Sequence, residues 1–277
     1  MLAEKEELVE RGQYLDFLAR NTNKNIALLG RKKSGKTVIL KEHLNRLKKS
    51  HLTAYIDLEK TSLTPENFSV EFIGNIMFNF LGKKLPDYEK FLKIDNLVKN
   101  SSSLSSGCSE ILKQIENELL KIKPDQRALV ENAFRFAEII AKDKKTIICF
   151  DNFENILDLN NFAQIKDIIS LINFESKDVK YVVASSLISQ FKDLKDFEIL
   201  ELKNLEKDEA SALIKKLTGK SDKKIVDEIF NLSKGHPLIT KAIALSYKDD
   251  VKKAFLTELL CKDGLIYNYC KENLNFY

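Results

Sequence analysis

The chain has 277 residues, 44% of them hydrophobic and 31% charged, with 45 basic against 41 acidic side chains and a net charge of +4. That balance excludes a largely disordered chain, and 9 Gly and 4 Pro exclude collagen-like and linker-rich classes while favouring long helices over a turn-rich all-β fold. The net charge is milder than that of a dedicated nucleic-acid binder, no apolar run approaches the ~18 residues that span a bilayer, and the start Met1-Leu2-Ala3-Glu4-Lys5-Glu6-Glu7 is acidic where a secretory leader is basic, so the expected setting is cytoplasmic, away from membranes.

In chain order, short apolar runs alternate with helix-period segments. Asn25–Gly30, Leu52–Leu58, Thr146–Asp151, Tyr181–Ser185 and Phe197–Leu202 read as strands, each short and rich in Ile, Val, Leu, Phe or Tyr. Between them Lys36–Lys49, Pro65–Leu81, Ser109–Ile122, Gln126–Ala141 and Phe162–Ile172 read as helices. The Ser-rich run Asn100–Ser109 reads as a loop, and Pro124 suits the first turn of the next helix. Strand–helix alternation predicts an α/β fold on a mostly parallel, buried sheet. After Leu202 the strands stop, and Glu206–Leu217, Asp222–Leu232, Leu238–Tyr247 and Val251–Cys261 read as helices. The expected division is therefore an α/β core over 1–202 and an all-helical lid over 203–277.

The four cysteines, Cys108, Cys149, Cys261 and Cys270, form no C-x-x-C pair and have no His spacing for zinc. Free thiols suit a reducing compartment, and Cys149, inside an apolar run, reads as a small buried hydrophobe.

Residues 30–37 read Gly30-Arg31-Lys32-Lys33-Ser34-Gly35-Lys36-Thr37, a full match to G-x-x-x-x-G-K-[ST]. The chemistry requires this spacing. The loop wraps a polyphosphate with backbone N–H groups, so glycine stands where the backbone must approach closely. Lys36 brings a point charge to the β/γ-phosphates, and Thr37 brings a hydroxyl to Mg²⁺. The helix that follows, through Val38, adds the positive end of its dipole. The motif follows the apolar run Ile26–Leu29 and precedes an amphipathic helix, which is the context the mechanism needs. ATP or ADP with Mg²⁺ is therefore the expected ligand.

Asp151 closes the apolar run Thr146–Asp151, at the strand end where α/β sheets bind ligands. It is the candidate second metal ligand with Thr37, capping of the next turn being the ordinary alternative. Many ATPases place Glu directly after this Asp. Here Asn152 stands there, and an amide orients water without accepting its proton. Glu154 is the nearest carboxylate, with a catalytic role and a solvated helix-start role both open. Ser185, with Ser186, ends the Tyr181–Ser185 strand; it either meets the γ-phosphate or lytic water, or caps a helix.

These residues resemble the archaeal ATPase family, within the P-loop superclass that includes AAA+ and STAND NTPases. Four segments carry the resemblance: Leu8–Leu18 as the entry motif, the loop with the Asp151 strand, Tyr55–Gly82 as the second strand and its helix, and Gly235-His236-Pro237 as the G-x-P turn of STAND lids. It covers most of 8–245. The resemblance implies a parallel five-stranded sheet of order 5-1-4-3-2, a helical lid, and an adenine flanked by Pro237 on one side and Val9 to Arg11 on the other. An ordinary helix boundary, Gly as C′ and Pro opening a helix, explains Gly235-His236-Pro237 equally well. Two departures stand out: Asn152 replaces the expected Glu, and no Arg follows Arg135, so the lid lacks a sensor arginine.

Three functions fit. The first is a slowly hydrolysing Mg²⁺-dependent ATPase that works as a nucleotide-dependent switch, with nucleotide-dependent oligomers and a protein partner implied by the family. The second is a nucleotide-binding scaffold without turnover. The third is a DNA-associated ATPase of a replication or mobile-element system, for which Lys215, Lys216, Lys220, Lys223 and Lys224 offer a basic cluster. The roughly 40 residues after Pro237 are fewer than an effector domain needs, so such a domain is expected to be absent or truncated.

Overall fold

The computed structural model describes residues 11–84, 87–187, 191, 195–219 and 222–274. Five parallel strands form one sheet: β1 (Asn25–Leu29), β2 (Leu52–Asp57), β3 (Thr146–Asp151), β4 (Val179–Ser185) and β5 (Phe197–Glu201), in the order β2-β3-β4-β1-β5. This is the 5-1-4-3-2 order expected, with β4 between β3 and β1.

The chain divides into two compact units. One comprises 15–29 and 40–201; the other takes everything described from 202 onward together with 30–39 and 11–14.

The first unit holds the sheet. Every residue of β1 and β3 is buried, as expected for parallel strands covered on both faces. β5 is an edge strand and alternates less cleanly, with Glu198 bound to Lys24 in solvent. Asn25, at the start of β1, is buried although polar, because it serves three backbone groups, Asp196 O among them. Its Nδ2 donates to Phe174 O at 2.8 Å, and its Oδ1 accepts from Tyr181 N at 3.0 Å. An apolar residue there would leave those backbone groups unpaired, at about 1–3 kcal/mol each.

Helices α1 (Gly12–Arg20), α2 (Lys36–Leu47), α3 (Pro65–Phe80), α4 (Ile94–Lys99), α5 (Ser106–Leu119) and α6 (Gln126–Ala141) precede or separate the first three strands in sequence. α3 starts where the Thr64 hydroxyl accepts from Asn67 N and Pro65 supplies a preset φ. α6 starts where Asp125 accepts from Ala128 N at 3.0 Å, which places Pro124 one residue ahead of the cap and outside the helix. The core between α3, α6 and the sheet is an aromatic cluster. Phe72 stacks on Phe150 at 5.9 Å and meets Phe134 edge-on at 5.1 Å, while Phe150 stacks on Tyr181 at 6.1 Å. Each such ring contributes roughly 1.5–3 kcal/mol by burial, and pair geometry adds about 0.5–1.5.

Two expectations fail, and one segment is additional. Phe162–Ile172 is not an α-helix: the chain makes 3₁₀ turns at Phe153–Asn161 and Ile169–Leu171, and its apolar residues Ile165, Ile168 and Ile172 are buried singly from an irregular path. The loop expected over 100–109 ends early, because the chain makes a 3₁₀ turn at Ser101–Ser103 and α5 opens from Ser106, with no side-chain cap from Ser105. A helical segment at 87–99, with Phe91 and Leu97 buried, has no counterpart among the expected elements.

The second unit is helical beyond 206: α7 (Lys207–Thr218), α8 (Lys223–Ser233), α9 (Pro237–Ser246), α10 (Val251–Leu260) and α11 (Leu265–Leu274). Four match the expected helices to within a residue or two, and α11 is additional. Ile214, Ile229, Ile243, Ala242 and Ile266 form its core. α7 opens with a capping box between Glu206 and Glu209 and closes at Gly219 in the left-handed region, and Asp222 and Asp250 cap α8 and α10. No helix among the described residues is long and apolar enough to cross a membrane. Lys215, Lys216, Lys223 and Lys224 are solvent-exposed; Lys220 lies outside the described residues.

Candidate functional site

In the second unit, residues 30–37 leave β1 and open the twelve-residue α2 at Lys36. Two backbone features shape the loop. Lys33 has φ 58° and Gly35 has φ 100°, so the chain reverses twice within three residues. Alternation of this kind turns successive N–H groups toward one point and makes an anion-binding nest. Gly30 is tightly packed: a Cβ there would lie 3.0 Å from Leu202 O and 3.1 Å from Ser34 Oγ, so its neighbours would have to give. Lys36 is buried, and its Nζ donates to Gly30 O at 2.7 Å and to Arg31 O at 2.9 Å. Its ammonium thus faces the inside of the ring of residues that the motif defines. Ser34 Oγ is buried without a hydrogen-bond partner, Thr37 and Val38 are half-buried, and Arg31, Lys32 and Lys33 are exposed.

Those residues fit a polyphosphate. A nest of N–H groups, an inward ammonium, a helix N-terminus and one orphaned buried hydroxyl are the donors such an anion needs, and the Thr37 hydroxyl is a hard oxygen of the kind Mg²⁺ takes. No group of three or more His, Cys, Asp or Glu placed to hold a metal occurs among the described residues.

The G-x-P segment is fixed by its own unit. Lys234 and Gly235 are left-handed, at φ 50° and 72°. Leu205 N donates to Gly235 O at 2.8 Å, Asn204 Nδ2 donates to Lys234 O at 2.9 Å, and Ser233 Oγ accepts from both Gly235 N and the Thr240 hydroxyl. His236 is the N-cap residue of α9, Pro237 its first residue, and Tyr269 of α11 lies against the His236 ring at 4.9 Å. Lys33 and Glu272 of α11 form an exposed ion pair at 3.9 Å. Arg11 is buried: its Nη1 donates to Lys203 O at 2.9 Å, and its guanidinium lies over the Tyr14 ring at 5.4 Å. Burial pulls the Arg11 pKa down, with Glu209 and Tyr14 opposing. Val9 lies outside the described residues.

In the first unit, the carboxyl ends of β2, β3 and β4 carry a separate set of polar groups. Asp57 and Asp151 are register partners across β2 and β3. Asp151 is buried; its Oδ2 accepts from Tyr55 Oη at 2.9 Å and its Oδ1 from Asn152 N at 3.1 Å. Asn152 is left-handed at φ 53°, and its Nδ2 donates to Asp57 Oδ1 at 2.9 Å and reaches Glu59 Oε2 at 3.5 Å. Asp57 also pairs with Lys60 at 2.7 Å. Burial pushes the Asp57 pKa up, but Lys60 and Asn152 outweigh it and hold the carboxyl below its usual range.

Glu154 accepts from the Ser186 hydroxyl and from Ser186 N. Burial raises its pKa, yet the hydrogen bonds from Ser186 and Ser185 prevail and leave it depressed. Ser185 is buried, and its Oγ also accepts from Leu187 N at 3.0 Å. Asp57, Glu59 and Tyr55 join this polar set without being legible as site residues in the sequence. The one signal for Asp57 is that a second apolar strand also closes on Asp, and its meaning depends on the β2–β3 register.

No family model matches the sequence, and no curated protein matches it. Among solved structures the chain is similar to a chain in the structure of Drosophila ORC bound to DNA, at 14% identity and a TM-score of 0.47, covering 95% of this chain and 65% of that one. It is also similar to the Aeropyrum pernix ORC2 protein in its ADPNP-ADP complexes, at 13% identity and a TM-score of 0.40, covering 97% of this chain and 69% of that one.

Proposed function

We propose that residues 30–37 bind the polyphosphate of ATP or ADP with Mg²⁺, and that the protein is a slow ATPase working as a nucleotide-dependent switch. The observation that carries this is the loop itself: a complete G-x-x-x-x-G-K-T sequence whose backbone reverses at Lys33 and Gly35 and whose Lys36 ammonium points inward. In this reading the loop N–H groups and Lys36 hold the β/γ-phosphates, and the Thr37 hydroxyl is a ligand of Mg²⁺. Pro237 and Arg11 border the base. Bound Mg²⁺ neutralises charge on the phosphates; the protein's own residues bind and orient.

Slow turnover follows from the polar set at the strand ends. Asn152 carries no base, and its amide is committed to Asp57 and Glu59. Glu154 is committed to Ser186 and is held in its ionised form by hydrogen bonds, which makes it a weak proton acceptor. Asp151 is the carboxylate offered to a cation, steadied by Tyr55.

Calorimetric titration with ADP and ATP, with and without Mg²⁺, tests the reading. Binding that is strengthened by Mg²⁺ for ATP and lost in Lys36→Ala is expected. Equal affinity in Lys36→Ala would remove the loop from the function.

A further inference from the structure

His236 occupies a position that its neighbours do not explain. It is 4% exposed, and both ring nitrogens are buried without a hydrogen bond of good geometry. The backbone of Lys32, in the loop, acts on the ring and favours its protonated form, against burial. A buried imidazole without partners costs on the order of 1–3 kcal/mol relative to one that is satisfied. The protein nevertheless fixes this ring firmly. Gly235, whose Cβ would fall 2.1 Å from Leu205 O, and the Ser233–Thr240 hydrogen bond hold the turn, and Tyr269 packs against the ring at a tilt.

The ring also stands at the N-terminus of α9, a ten-residue helix, where the dipole favours negative charge. Ser34 Oγ, in the loop, is likewise buried and unpartnered. Two orphaned polar side chains, one in the loop and one against it, thus accompany a helix N-terminus.

We propose that His236 is a phosphate ligand of the loop and takes up a proton from solvent as the polyphosphate of the nucleotide enters. This rests on the nucleotide reading above and adds to it a residue and a pH dependence. The sign follows from the surroundings. Burial lowers the ring's pKa from 6.5 and holds it neutral; the Lys32 backbone opposes this, and the positive charge of Arg31 lowers it further. Tyr269 of α11 lies tilted against the ring at 4.9 Å, and the Lys33–Glu272 pair, which joins the loop to α11, carries no net charge. A phosphate oxygen beside the ring reverses the balance: it gives one nitrogen an acceptor and opposes the Arg31 charge, so the bound form titrates higher. The ring therefore binds a proton on nucleotide entry at any pH between its two titration points, and affinity falls as pH rises across that interval, levelling off above the upper one.

The chain has three histidines, so the His236 imidazole can be followed directly in the wild-type protein by NMR, with and without ADP. Its titration point is expected to rise by about one unit or more on ADP binding, with up to a roughly tenfold loss of ADP affinity per unit of that rise as pH increases across the interval. Calorimetry at a pH between the two titration points, in buffers of different ionisation enthalpy, should show proton uptake in the wild type and none in His236→Gln. An unchanged His236 titration in ADP-saturated protein, or equal proton uptake in His236→Gln, would overturn the assignment while leaving the nucleotide site standing. Folded wild-type protein that binds no ADP at all would overturn the nucleotide reading and this inference with it.

Discussion

Asn152 Nδ2 donates to Asp57 Oδ1 across 2.9 Å, joining the residue after β3 to the last residue of β2. The position expected to carry a water-activating acid is instead a left-handed residue whose amide bridges carboxylates. Asn suits this for two reasons: it tolerates φ 53° better than most side chains, and its N–H₂ satisfies Asp57 and approaches Glu59.

Replacing Asn152 by Glu therefore does not supply a catalytic base. It places a third carboxylate beside Asp57 and Glu59 in a strained backbone. Asn152→Glu is expected to lose about 2–3 kcal/mol and Asn152→Gly about 1, measured by urea unfolding, with no rise in ATP hydrolysis for either. A faster rate in Asn152→Glu would contradict the bridging role.

In the proposed nucleotide complex Lys36 would exchange its two carbonyl partners, Gly30 O and Arg31 O, for phosphate oxygens. Charge-assisted hydrogen bonds of this kind contribute about 1.5–3 kcal/mol, so Lys36→Ala should weaken ADP by on the order of 10–100-fold in a titration, and should also lower thermal stability, because Gly30 O and Arg31 O lose their donor.

Turnover of ATP should stay below about 1 s⁻¹, the low end of ordinary enzymes. Glu154→Gln keeps an acceptor for Ser186 and should leave the rate within a factor of a few. A large loss in a phosphate-release assay would show that Glu154 serves as the base despite its depressed pKa.

Gly235→Ala should be strongly destabilising. The new Cβ meets a backbone carbonyl at 2.1 Å, and the residue sits at φ 72°. A loss above ~2 kcal/mol is expected by denaturant unfolding, whereas Gly219→Ala, with open space around its Cβ and φ 69°, should lose only about 1.

Acid should weaken the fold well before the carboxylates titrate. Buried His43 has its pKa lowered to about 4, first by desolvation and then by His51 and Arg46. The unfolded chain binds a proton near pH 6.5 that the folded chain refuses until about 4, so stability falls as pH drops through that window, by ~3 kcal/mol in all. His43→Leu should flatten the stability profile over this range.

Local sequence determined the elements whose signal is local. The five strands and four of the helices after 206 follow from apolar runs, period and caps, because each is decided within about ten residues of chain; the parallel pairing follows from strand–helix alternation over longer stretches. Pattern alone failed at Phe162–Ile172, where helix-spaced isoleucines are buried from 3₁₀ turns and irregular chain instead: burial fixes which residues point inward, not the backbone path that brings them there. The tertiary structure alone decided the environments. That Asn152 bridges Asp57 and Glu59, that Ser186 commits Glu154, and that His236 is buried with no partner beside Lys32 are relations between residues 32 to 204 positions apart in the chain. Hydrogen bonding and desolvation act through space over a few ångströms, and only folding brings those groups within that reach.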